Sequence, residues 1–243
     1  MESKALALGK QVKAEALNSN VHQMEVTLIQ TITMIELSDD ERDAITELFN
    51  ISVGDAANSL SQMVEERVIL SVPHLVLIER EQAAEYIEKH SSHRISAIQQ
   101  AFKGSFSGTA VLFFPEEKSL ELVRALLQED VPLDSLTDLE QDSMVEVGNI
   151  ILNAILASIT EMLDMDVRCG LPDFLSGNCR HLLENLFIVE KNNNNEASDD
   201  DPVIVLFVDF MTGENEIKGY VVLLLDGIAL QTFRGGVEKL LEE

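Results

Sequence analysis

Glu47 and Asn50 stand three residues apart, and Glu146 and Asn149 repeat the pair ninety-nine positions later. On an α-helix, steps of three and four keep side chains on one face. Asp43, Glu47, Asn50 and Gly54 therefore form one line, and Asp142, Glu146, Asn149 and Asn153 form another. Pro73 and Pro172 each follow their asparagine by twenty-three residues, in the same register. A solvated helix face is the ordinary source of one polar stripe. Such faces are little constrained by packing, so folding alone gives no reason for two copies to agree.

The residue types restrict the chemistry. An asparagine amide cannot act as a base, and neither pair has a nucleophile–histidine arrangement beside it, which argues against acyl or glycosyl hydrolysis. An amide can, however, orient a water through its hydrogen bonds. That is enough for phosphoryl transfer, where catalysis is largely positioning plus charge stabilisation and a metal can come from the other protein. The glutamate would then pair with a cation on that partner.

The elements that must carry these residues can be read from periodicity. "SDDER" supplies an N-cap at Ser38, and Ile45, Leu48, Phe49, Val53, Ala56, Leu60 and Met63 recur at helical steps, with Gly54 expected to allow close approach. "RVILSVPHLVLIE" reads as a strand, a turn or bulge at Pro73, and another strand. A short helix at "REQAAEYIEKH", a hairpin from "HRISAIQQAFKG" and "FSGTAVLFFP", and an amphipathic helix at "EEKSLELVRALLQ" follow. "EDVPLDSLTDLEQD" links to a second half in the same order. There a helix runs from about Thr137 to Leu163, "VRCGLP" matches the first proline segment, and "VIVLFVDF" and "KGYVVLLLD" precede a last helix.

Gly108 and Gly219 align at an offset of 111, about twelve more than the helices, and the Asn-rich, acidic "KNNNNEASDDDP" has that length. It lacks the apolar residues to pack and the spacing of a calcium loop, so it reads as a solvated mobile loop. The boundaries expected are an N-terminal extension over residues 1–36 and a domain over 37–243, with repeats at about 37–133 and 134–243. The extension could serve as a helical oligomerisation arm.

With 17 basic and 43 acidic residues, the net charge of −26 opposes nucleic acid and anionic membranes as partners. Partners presenting Lys or Arg fit better. Cys169 and Cys179 lack metal-ligand spacing and read as reduced thiols. No secretory pattern and no uncharged apolar run of spanning length is apparent, so a cytoplasmic protein is expected.

The pattern Asp or Ser, three residues, Glu, two residues, Asn, twenty-two residues, Pro is the signature of the CheC, CheX and FliY family of chemotaxis phosphatases, which this chain resembles. This chain carries it twice, at Asp43, Glu47, Asn50 and Pro73 and at Asp142, Glu146, Asn149 and Pro172. "AANSLSQM" and "EVGNIILNAILASITEMLDMDV" are similar to family text as well, and two sites without a fused flagellar-switch domain resemble the CheC branch.

The resemblance implies an α+β fold with internal pseudo-twofold symmetry, long site-bearing helices lying against an antiparallel sheet. It implies an enzyme that removes phosphate from the aspartyl-phosphate of a CheY-like response-regulator receiver. Asn50 and Asn149 would orient the water, Glu47 and Glu146 would engage the receiver's lysine, and Mg2+ would sit in the receiver, with no cofactor bound by this chain. The alternative is a non-catalytic adaptor for a receiver or a CheD-like partner. Phe49 stands where the family commonly has Gly and is expected to crowd the first site, whereas Gly148 fits the pattern, so the second site is expected to be the more active.

Overall fold

The computed structural model describes residues 37–64, 67–127, 138–193, 202–212 and 215–242. The expectations for residues 1–36, and most of the linker and of the Asn-rich segment, lie outside the described residues. In chain order the elements are α1 (Asp39–Val64), β1 (Val68–Glu79), α2 (Arg80–His90), β2 (Arg94–Gly104), β3 (Gly108–Pro115) and α3 (Glu116–Leu127), then α4 (Asp138–Met162), β4 (Val167–Cys169), β5 (Asp173–Asn178), α5 (Cys179–Asn193), β6 (Pro202–Thr212), β7 (Asn215–Leu225) and α6 (Gly227–Glu242).

Among the described residues the seven strands form one sheet in the order β1-β6-β7-β3-β2-β4, with β5 also on β2, and the pairings between them are antiparallel. The fold is α+β. The order reads the same from either edge once β1 is set against the β4–β5 pair, β6 against β2 and β7 against β3. At its centre β3 pairs with β7, and Val111 lies opposite Val222, two positions that differ by the same 111 residues as Gly108 and Gly219.

Carrying that relation through the two hairpins, β2–β3 and β6–β7, sets Gln100 in correspondence with Leu206. The offset is therefore 106 at this point and not yet 111. Contrary to what the size of the Asn-rich segment suggests, the extra length does not all fall there: part of it lies in the β6–β7 hairpin, whose paired strands extend past the positions equivalent to the ends of β2 and β3.

The central strands β3 and β7 and the first half of β6 are buried on both faces, whereas β4 and β5 are partly exposed. On one face α1 and α4 pack against each other with α3 and α6 beside them, over Ile98, Phe102, Leu112, Leu206, Val221 and Leu223. Ser158 Oγ donates to Asp55 Oδ2 across α1 and α4 at 2.9 Å. On the other face α2 packs against α5.

By length and composition alone, Gln141–Met162 within α4 could cross a membrane, which the sequence reading did not anticipate. Its Met144, Val147, Ile151, Leu152, Ile155, Leu156 and Ile159 are instead buried in the core.

The start of α1 is fixed by a reciprocal cap. Ser38 donates its backbone N–H and its hydroxyl to Glu41 Oε2, at 2.9 and 3.0 Å, and Glu41 N–H donates back to Ser38 Oγ at 3.2 Å. Arg234 of α6 donates Nε to Glu41 Oε1 at 2.9 Å. The Ser38 backbone bond, followed by Arg234, holds the Glu41 carboxyl below the usual carboxylate range.

Candidate functional site

Asp43, Glu47, Asp142 and Glu146 are all exposed, and Asn50 and Asn149 are half-buried. The two stripes predicted from spacing therefore lie along the outer faces of α1 and α4. Neither glutamate has a hydrogen-bond or ion-pair partner among the described residues, so both carboxylates are available to a cation from outside. Among the described residues no group of three or more His, Cys, Asp or Glu is placed to hold a metal.

At the first site the proline segment supplies the geometry. "RVILSVPHLVLIE" is one strand, β1, not two, and its pairing with β6 slips by one residue between Ser71 and His74. Proline has no N–H to give to a ladder, and a bulge leaves neighbouring groups unpaired. The freed Val72 N–H donates to Asn50 Oδ1 at 3.2 Å. Because Oδ1 is the accepting atom, Nδ2 is the end that faces away, and it donates to no described residue.

The second site reaches the same end by side chains. Asn149 Oδ1 accepts from Asn153 Nδ2 at 2.7 Å and from Gln100 Nε2 at 3.4 Å, and Gln100 Nε2 also donates to the Gly170 carbonyl at 2.9 Å. Here too the Asn149 Nδ2 donates to no described residue. Pro172 lies in the break between β4 and β5, where pairing to β2 again slips by one residue. Leu171, which precedes Pro172 as Val72 precedes Pro73, is 92% exposed, and Asn149 takes its bonds from side chains instead.

Two expectations about neighbouring residues are corrected. Phe49 does not crowd the first site: it is fully buried, with its ring 6.3 Å from that of Phe233, because adjacent helix positions point about 100° apart and Asn50 alone faces outward. Gly54 is not needed for close approach within the chain, since a Cβ there would meet nothing within 4 Å. Gly148 is the glycine that packing requires. A Cβ on it would lie 2.7 Å from Ile98, so its absence lets α4 sit directly on β2 and brings Asn149 within reach of Gln100, two residues farther along that strand.

Gln100 was missed from sequence. The available signal was its phase: in "AIQQAF" it occupies the core-facing position between Ile98 and Phe102, where alternation calls for an apolar residue. Nucleophilic chemistry by the cysteines finds no support, because burial, reinforced by the Glu88 charge, pushes Cys179 up to about 12, and burial also raises Cys169.

No family model matches the chain. A curated relative, the CheY-P phosphatase CheC of Bacillus subtilis, is 19% identical over 142 residues, 56% of this chain and 66% of the relative, so the match spans just under two thirds of CheC. Among solved structures, Thermotoga maritima FliY superposes with a TM-score of 0.70 at 17% identity, covering 84% of this chain and 99% of that one. The middle domain of FliM from H. pylori superposes at 0.56 with 10% identity, covering 82% and 99%. In sequence the chain is similar to CheC over part of its length, and in fold to FliY and the FliM middle domain; the paired Asp–Glu–Asn–Pro pattern accompanies both likenesses.

Proposed function

We propose that this protein is a phosphatase for the aspartyl-phosphate of a CheY-like response-regulator receiver, working in the cytoplasm and closest to the two-site CheC branch. The observation that carries the reading is the state of the two asparagines. Each has Oδ1 engaged within the protein and Nδ2 turned outward without an acceptor among the described residues, one helical turn from an exposed, unpartnered glutamate.

An amide held this way can position a water only by donating to its oxygen. The water oxygen bonds to phosphorus as the acyl-phosphate P–O bond breaks, the aspartate leaves as a carboxylate, and the water's proton passes to a phosphoryl oxygen or to solvent. Glu47 and Glu146 hold the receiver by pairing with its lysine. Mg2+ belongs to the receiver, where it neutralises charge on the transferring group. We read the recurrence as an internal duplication, which the palindromic strand order and the Val111–Val222 centre support.

The test is the lifetime of phosphate on a purified receiver with and without this protein. Asn149→Ala and Asn50→Ala should each remove part of the acceleration, and the double change should remove it all. A double variant as fast as the unaltered protein would overturn the mechanism.

The FliM-like fold favours a second reading, an adaptor that binds a receiver or a CheD-like protein without catalysis. FliM of H. pylori is found in a complex with FliG. Receiver binding with an unchanged phosphate lifetime would select this reading.

A further inference from the structure

Gln100 is 1% exposed, and its Oε1 is buried with no hydrogen-bond partner among the described residues. The corresponding position in the other half is Leu206, which is fully buried in the core on the same face of the sheet. A leucine thus suffices for packing at this point of the fold. The unsatisfied Oε1 of this buried amide offsets part of what its Nε2 bonds return, and an apolar residue fills the equivalent place. Packing therefore gives no reason for glutamine at position 100.

The geometry gives another. Both hydrogens of Gln100 Nε2 are used, one on Asn149 Oδ1 at 3.4 Å and one on the Gly170 carbonyl at 2.9 Å. The first holds the reactive amide, and the second anchors β2 to the segment carrying Leu171 and Pro172. At the first site the main-chain N–H of Val72 already holds Asn50, and Leu206 has no such task.

We propose that Gln100 is a positioning residue for the second site only: it fixes the Asn149 amide with Nδ2 outward and ties it to the Gly170–Pro172 segment. The proposal rests on the phosphatase reading for its consequence in rate, but the positioning itself can be observed without turnover.

The substitution to make is Gln100→Leu, the residue its counterpart uses. Its melting temperature should equal or exceed that of the unaltered protein; a clear fall would assign Gln100 to the fold and overturn the proposal. In an Asn50→Ala background, where only the second site remains, Gln100→Leu should slow phosphate loss about tenfold, the rate scale of losing one orienting hydrogen bond. Combined with Asn149→Ala it should add no further loss, and fully additive losses would overturn the proposal.

Gln100→Glu supplies a pH profile that a purely structural role would not give. A carboxylate cannot donate to either oxygen, whereas a protonated acid can donate to one. In the same Asn50→Ala background, its rate relative to the Gln100 protein should rise as pH falls; a ratio independent of pH counts against the proposal.

Independently of rate, the Asn149 side-chain amide signals in a 15N NMR spectrum should move in Gln100→Leu while those of Asn50 stay in place. Unmoved Asn149 signals overturn the positioning role even if the enzyme works. An unaltered protein that leaves phosphate lifetime unchanged overturns the phosphatase reading instead, and the NMR result then decides the role of Gln100 by itself.

Discussion

Asn50 accepts a 3.2 Å hydrogen bond from the backbone N–H of Val72, twenty-two residues away. The bond explains why proline recurs at a fixed distance from asparagine: the bulge beside Pro73 frees the one donor that orients the amide.

Asn50→Asp separates the structural half of that amide from the chemical half. The aspartate keeps an oxygen for Val72 but loses the outward N–H donor. Stability should stay within about 1 kcal/mol of the unaltered protein, the net scale of one hydrogen bond. In an Asn149→Ala background the acceleration of phosphate loss should disappear. Thermal melts and a phosphate-lifetime assay check the two halves, and retained acceleration would show that the N–H donor is not needed.

Phe49 and Gly148 occupy equivalent places before the two asparagines, and a loss of size at the first or a gain at the second should each destabilise the fold. Phe49→Ala opens a cavity beside Phe233 and should cost about 3–5 kcal/mol without speeding the first site. Gly148→Ala forces a methyl against Ile98 and should cost about 1–3 kcal/mol. By lifting α4 from β2, it should also slow the second site. Denaturant unfolding gives the first quantities, and the single-site rate assay gives the second.

Glu47→Lys and Glu146→Lys test docking. Both positions are exposed, so folding should change by no more than about 0.5 kcal/mol. Receiver affinity at each altered site should fall about tenfold at low ionic strength, with the difference shrinking as salt is added. Calorimetric titration at two salt concentrations measures both effects, and an affinity that ignores the charge reversal would remove the glutamates from the interface.

The Glu41 cap predicts a pH dependence with a definite sign. Its folded value lies below the unfolded one of roughly 4.3, so the stabilisation is fully present above that value and is lost as pH falls through the lowered one. Glu41→Gln should therefore be less stable than the unaltered protein at pH 7, with the gap closing below about pH 4. Melting temperatures across that range decide it; a gap constant with pH would mean that the charge contributes nothing.

Much of this arrangement was legible in the sequence. The helices and hairpins followed from periodicity because each buries one clear face, and the stripe residues fell on common faces because helix geometry leaves no choice. Phe49 was misjudged because adjacency in sequence is not adjacency in space. The bond from Val72 could not be read, since main-chain donors carry no residue identity. Gln100 could have been noticed as a polar residue in an apolar phase, but its partner lies forty-nine residues along the chain. The extra length divided between two places because only strand register, not segment composition, locates an insertion.

Asn50 is held by β1 at one edge, while Asn149 is held through β2, four strand spacings away, roughly 19 Å at the usual separation. No hydrogen bond links one asparagine directly to the other, and packed side chains of α1 and α4 lie between. If the proposed function holds, disabling one site should lower the protein's capacity by a fixed step, and a changed receiver affinity at the other site would reveal coupling through the α1–α4 packing.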